Sequence, residues 1–226
     1  SRPRGYNQVG TAVISVENTH NFGGGRVADI EQLRTLHART RELGVSVHVD
    51  GARIANAAAA TGVGLGEYGA LADSVSLCLS KGLGAPVGSV LVGSAELIAE
   101  ARVLRKRYGG GMRQAGILAA AGLWALEHNL ERLAEDNAAA ARIARAIAEV
   151  DPAVVDPDTV DTNIVFIDLG PTGLDAQAYA AATEAAGVRV SVMDEDSVRI
   201  VTHLDVSAED ARRAGEILAR SLAENA

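Results

Sequence analysis

The sequence predicts an α/β protein built on a mostly parallel sheet, followed by a smaller α+β region. Three observations carry that prediction. Short β-branched runs alternate with runs of helical period through residue 128. After the breaks at Asp151-Pro152 and Asp156-Pro157 the order changes to strand, helix, two short strands and a last helix. The 226 residues, 48% hydrophobic and 22% charged, suffice for a sizeable core and exclude a disordered chain.

Each element follows from local signals. Residues 11–17, Thr-Ala-Val-Ile-Ser-Val-Glu, read as a buried strand, and a turn-rich segment with Gly23-Gly24-Gly25 follows. Asp29 is placed as a helix N-cap, with Gln32 three residues on. Ile30, Leu33, Leu36 and Leu43 recur at roughly helical spacing, and Gly44 stops the run. Residues 45–49 form a second strand, 53–61 an alanine-rich helix, 74–79 a third strand and 87–92 a fourth. A helix over 95–107 ends at Tyr108-Gly109-Gly110-Gly111, and another spans 114–127. A long helix is expected over 129–150, with Leu130, Leu133, Ile143 and Ile147 facing a core. Beyond it come a strand at 164–168, a helix at 175–186 ended by Gly187, and strands at 188–192 and 198–202. Ser207-Ala208-Glu209-Asp210 resembles a capping box that opens a last helix to about 223. Residues 1–128 are taken as one α/β unit and 129–226 as a smaller domain reached through the long helix.

Composition narrows the function. A net charge of −8 argues against a nucleic-acid partner held by phosphate contacts. No run approaches the about 20 apolar residues of a membrane span, and residues 1–10 carry no signal-like apolar stretch. The single cysteine, Cys78, excludes an intramolecular disulfide framework and a cysteine-based metal cluster, so a reducing, cytoplasmic setting is expected and no metal is assigned. Only two of the 21 basic residues are lysines, Lys81 and Lys106. A chain that uses arginine for generic positive charge reserves lysine for chemistry arginine cannot do, since the ammonium can become a nucleophilic amine.

Three features converge on such chemistry. Val47-His48-Val49-Asp50-Gly51-Ala52-Arg53 puts an aspartate at the carboxyl end of a strand, where open α/β sheets bind ligands. Leu79-Ser80-Lys81-Gly82-Leu83-Gly84-Ala85-Pro86 puts Lys81 just after the next strand among small residues, with room for a planar ligand. Gly109-Gly110-Gly111-Met112-Arg113-Gln114 puts an arginine at a helix start, a place suited to an anion. A lysine that can form a Schiff base beside a carboxylate that can keep a pyridine nitrogen protonated suggests pyridoxal 5'-phosphate. Arginines suit a substrate carboxylate, because the planar guanidinium pairs with it bidentately.

Glu17-Asn18-Thr19-His20-Asn21, His48 to Arg53, Leu79 to Leu83, Ala85-Pro86-Val87-Gly88-Ser89, Gly109 to Gln114 and Arg199-Ile200-Val201-Thr202-His203 together resemble low-specificity L-threonine aldolases, in order and over essentially the whole chain. The resemblance implies a fold-type I pyridoxal-phosphate enzyme, usually a tetramer, that cleaves threonine and related β-hydroxy-α-amino acids to glycine and an aldehyde. It divides the chain into a cofactor-binding large domain (1–128) and a small C-terminal domain (129–226). By position, Lys81 resembles the Schiff-base lysine and Asp50 the partner of the pyridine nitrogen. Arg53 and Arg199 resemble the residues that hold the substrate carboxylate. Arg113 resembles an arginine that reaches the phosphate of a neighbouring subunit's cofactor, with Lys106 on the same basic surface, which implies a homo-oligomer. Family members carry a further N-terminal segment supplying a glycine-threonine phosphate loop, a ring-stacking histidine and a serine near the substrate carboxylate; no counterpart precedes Gly10.

Other readings stand beside these. Asp50 can cap the helix near Arg53. His20 reads as a loop-holding histidine ahead of a general base, His48 as either a cofactor neighbour or a satisfied strand residue, and His203 as structural. Cys78 reads as packing on a buried strand, and Gly23 to Gly25 as a turn and not a phosphate loop. The alternatives for function are a β-eliminating lyase or racemase on the same fold, or a non-catalytic fragment or partner subunit of an aldolase.

Overall fold

The computed structural model of the chain describes residues 9–225, and the reading that no counterpart of the family's N-terminal segment precedes Gly10 falls largely outside them. The chain forms two compact units. The first holds the described residues through Thr19 together with Ala28–Leu130; the second holds His20–Val27 and the described residues from Glu131 on.

The first unit is built on a four-stranded sheet of order β1-β2-β3-β4. Strands β1 (Val13–Glu17), β2 (Ser46–Gly51) and β3 (Ser74–Cys78) run parallel, and β4 (Ser89–Gly93) closes the edge antiparallel to β3. The sheet is thus mostly parallel, as its alternation with helices requires. Helix α1 (Ile30–Leu43) crosses from β1 to β2. Its N-cap is the one expected: Asp29 Oδ1 accepts from the Gln32 amide at 2.9 Å. Gly44 ends it at φ +62°, its amide bonded to the Arg41 and Thr40 carbonyls. Helix α2 (Ile54–Thr61) buries Ile54, Ala55 and Ala57. A short helix α3 (Leu65–Ala70) has no counterpart in the sequence reading, because Gly66 and Gly69 erase any apolar period. It is anchored by Tyr68, which is buried and lies 3.2 Å from the Thr61 hydroxyl.

Helix α4 (Ala95–Arg107) follows β4, with Ser94 as N-cap. Helix α5 (Gly116–His128) starts two residues later than expected, because Gln114 takes a left-handed φ of +53°. Arg113 therefore sits in the loop, three residues before the helix, and is not its first residue.

In the second unit the long helix is shorter than the alanine run suggests. Asn129 caps α5, its amide bonded to Ala125 O at 2.9 Å, and α6 (Leu133–Ala148) begins afresh. Strands β5 (Ile164–Asp168), β6 (Ser191–Val192) and β7 (Ser197–Val201) form an antiparallel sheet of order β5-β7-β6. β6 keeps only two of the five residues expected of it. Helix α7 (Ala176–Ala185) is capped by Asp175, and α8 (Ala208–Asn225) closes the unit. The expected capping box forms: the Asp210 amide donates to Ser207 Oγ at 3.1 Å, and the Ser207 amide donates back to Asp210 Oδ2 at 3.2 Å. The Ser207 hydroxyl, which donates to Asp210 Oδ2 at 2.6 Å, and then the Ser207 amide hold the Asp210 carboxyl below the usual aspartate range.

The core of this unit joins Ile143 and Ile147 of α6, Val165 and Ile167 of β5, Val198 and Ile200 of β7, and Leu218 and Leu222 of α8. Each such buried aliphatic side chain contributes about 1.5–3 kcal/mol. Gly215 lets α8 approach α6 closely, since a Cβ there would lie 3.0 Å from Ala146 Cβ. Among the described residues no helix is long and apolar enough to cross a membrane.

Candidate active site

Three of the five site residues read from the sequence lie at the carboxyl edge of the parallel strands in the first unit. Asp50 is the penultimate residue of β2, Arg53 immediately precedes α2, and Lys81 stands in the loop after β3. Local structure explains each position. Asp50 Oδ1 accepts from the Ala52 amide at 3.1 Å and lies 3.5 Å from Ser76 Oγ on β3. The carboxylate closes the turn after β2 and does not cap α2; the residue before α2 is Arg53, which makes no side-chain cap. Gly51 follows because the neighbouring strand leaves no room: a Cβ there would lie 2.8 Å from Ser76 O.

The Lys81 loop is pinned from several sides. The Gly84 amide donates to Lys81 O at 2.8 Å and the Ala85 amide to Leu79 O at 2.9 Å. Buried Asn129 donates its Nδ2 to Leu83 O at 2.8 Å, tying the end of α5 to this loop. Leu83 is buried beneath it, while Lys81 itself is exposed. The loop backbone is thereby held while the amine stays accessible. Cys78 is partly exposed, unlike the buried packing residue expected, because it is the last residue of β3, where the ladder gives way to this loop. Its Sγ lies 3.5 Å from Ser80 Oγ.

Asn18 and Thr19 follow β1 at the same edge. The Asn18 amide donates to Asp50 O at 2.9 Å, and its Oδ1 accepts from the Ala28 amide at 3.2 Å. Both residues are buried, yet Asn18 Nδ2 and Thr19 Oγ1 have no hydrogen-bond partner among the described residues. Orphaned buried donors beside Asp50, with small residues around an accessible lysine, fit a polar planar group such as pyridoxal phosphate. His48 Nδ1 is 2.8 Å from Ser74 Oγ, a pairing between neighbouring strands.

Two site residues stand elsewhere. Arg113 is exposed in the α4–α5 loop. Arg199 lies on β7 in the second unit, and its Nη1 donates to Asn21 Oδ1 at 3.0 Å. His203 Nδ1 accepts from the Asp205 amide at 3.3 Å and serves its own turn. Asn18 and Asn21 enter the sequence reading only within a motif and Asn129 only as a helix start, none with a role of its own, because a lone asparagine near a strand or helix end carries no signal separable from ordinary capping.

This architecture is that of the fold-type I pyridoxal-phosphate enzymes. The threonine aldolase structure of Leishmania major overlays at a TM-score of 0.77, covering 97% of this chain and 64% of that one, at 18% identity. The chain belongs to the beta-eliminating lyase family, which matches residues 2–169. That family is pyridoxal-phosphate-dependent. The low specificity L-threonine aldolase of Escherichia coli K12 is 46% identical over 199 residues, covering 88% of this chain and 57% of that protein. The low-specificity L-threonine aldolase 1 of Arabidopsis thaliana is 40% identical over 201 residues, covering 88% and 56%. The chain thus spans a little over half the length of these relatives.

Proposed function

We propose that this chain carries the lysine-bearing part of a pyridoxal-phosphate aldolase that cleaves L-threonine, L-allo-threonine and related β-hydroxy-α-amino acids to glycine and an aldehyde. The observation that carries the reading is Lys81, accessible on a pinned loop, at the same strand edge as Asp50 and Arg53. The aldolase names of the 40–46% identical relatives support the reaction.

When bound, the cofactor supplies an electron sink for the bond broken at the substrate α-carbon. Lys81 holds it through its amine, and the Asp50 carboxylate holds the proton on its ring nitrogen. Arg53 and Arg199 bind the substrate carboxylate and so choose which bond at the α-carbon is presented for cleavage. Arg113 meets the cofactor phosphate of a neighbouring copy. Self-association is supported by α5, which is apolar on every side yet leaves Ile117, Leu123 and Trp124 exposed. A cytoplasmic setting fits the lone cysteine.

The test is borohydride reduction with added pyridoxal phosphate, then peptide mass mapping. A pyridoxyl group on Lys81, absent from Lys81→Ala together with all turnover, is expected; turnover retained in Lys81→Ala would sink the assignment. The family match favours one second reading, a β-eliminating lyase. Glycine plus aldehyde identifies the aldolase; pyruvate plus ammonia identifies the lyase.

A further inference from the structure

Arg199 is half-buried on β7, between Val198 and Ile200, both of which point into the core. Strand alternation sends its side chain to the opposite face of the β5-β7-β6 sheet. Its guanidinium is anchored there at Nη1, which donates to Asn21 Oδ1 at 3.0 Å, while Nε is buried without a hydrogen-bond partner. Where this long side chain rests therefore depends on where Asn21 is.

Asn21 is firmly placed. It belongs to the segment His20–Val27, which lies between β1 and α1 in sequence but packs with the second unit. The turn closes on itself through Gly24 N to Asn21 O at 3.2 Å and Gly25 N to His20 O at 2.9 Å. It is then fastened to the start of β5. Thr162 Oγ1 donates to Gly25 O at 2.7 Å, the Val27 amide donates to Asp161 Oδ2 at 2.9 Å, and Arg26 Nε pairs with the same carboxylate at 3.1 Å. Gly25, at φ +74°, is required: a Cβ there would lie 2.8 Å from Thr162 Oγ1 and 2.9 Å from Ile164 Cβ.

We propose that Asn21 is a positioning residue for substrate carboxylate binding, its amide oxygen fixing the rotamer of Arg199 so that the remaining guanidinium donors are preorganised for the carboxylate. The inference rests on the assignment of Arg199 above. A neutral amide suits this role, because it accepts from the guanidinium without cancelling the charge that attracts the ligand. Arginine carries several rotatable bonds, and holding one donor in advance removes part of the ordering cost from the binding step.

The experiment measures the glycine dissociation constant of the cofactor-loaded protein by titration calorimetry. The proteins compared are the parent, Asn21→Ala, Asn21→Asp, Arg199→Ala and each Asn21 variant combined with Arg199→Ala. Asn21→Ala is expected to weaken glycine binding about tenfold, which is about 1.4 kcal/mol, and to raise KM for threonine while kcat stays within about twofold. Asn21→Asp, nearly isosteric, is expected to weaken binding at least as much, because its charge occupies the guanidinium; it carries the test if the alanine variant does not fold. Neither change should add to the loss caused by Arg199→Ala. Unaltered glycine binding in the Asn21 variants, with Arg199→Ala weakened, overturns the proposal alone. An undiminished loss in the Arg199→Ala background overturns it too, since it marks a general structural role. Arg199→Ala binding glycine like the parent, or a parent that binds none, removes the Arg199 assignment itself.

Discussion

At the scale of single residues, the proposed chemistry concentrates where the backbone leaves least choice. Asp50 is bound by the Ala52 amide and lies near Ser76 Oγ. Asp50→Asn keeps the side-chain oxygen that these contacts use and removes only the charge. It is expected to leave the urea midpoint nearly unchanged and to lower the proposed aldolase turnover on the order of a hundredfold or more; comparable loss of both would mean the carboxylate is structural. Gly51 makes the complementary case. A Cβ there meets Ser76 O at 2.8 Å and Ile54 Cβ at 3.1 Å, so Gly51→Ala forces two packed elements apart. A cost of about 1–3 kcal/mol is expected in denaturant unfolding. Lys81 is picked out in the sequence because lysine is scarce and it follows a strand, Asp50 because a carboxylate ends the strand before it. Gly51 is legible only as part of a motif, since the clash that demands it comes from a different strand.

Among elements, the sequence reading succeeds where local chemistry decides. Asp29, Gly44 and the Ser207–Asp210 pair cap their helices as their sequence offsets require. It fails where packing decides: α3 has no period of its own, and α6 loses its first turn to the C-cap of α5. Tyr179 shows an element joined to its neighbour by one buried group. Its hydroxyl donates to Leu218 O on α8 at 2.9 Å, and burial raises its pKa above the ordinary value of 10.0. Unfolded tyrosine loses its proton above pH about 10 while the folded residue keeps it. The unfolded state then binds fewer protons, and stability falls as pH rises through that range. Tyr179→Phe is expected to cost about 1 kcal/mol at neutral pH and to flatten the alkaline decline of stability. An unchanged decline in thermal melts across that range would contradict the linkage.

For the whole molecule, the chain folds as two units whose sequences interleave, because His20–Val27 is fastened by Thr162 and Asp161 far along the chain. The second unit buries its apolar faces in one core. In the first unit, β4 and α5 keep Val92, Ile117, Leu123 and Trp124 open. An apolar helix exposed on several sides is suited to another protein surface. Trp124 is the only tryptophan, stacked on His128 with ring centroids 4.5 Å apart, and so reports on that face. Its emission is expected to shift to the blue as protein concentration rises, in step with a larger sedimentation coefficient. Ile117→Glu with Leu123→Glu should abolish both changes. A monomer at all concentrations, with constant emission, would remove the proposed self-association.

By itself the sequence determined the alternation of strands and helices, the helix caps, and the lysine, aspartate and arginines on which the functional reading turns. These depend on side-chain type and short spacing, which act over a few residues. Only the tertiary structure decided which unit residues 20–27 join, that Asn129 braces the Lys81 loop, and that Asn21 meets Arg199. Those contacts join residues 46 and 178 positions apart. No local propensity encodes such pairings; they exist only once buried faces have chosen their partners and the backbone has closed around them.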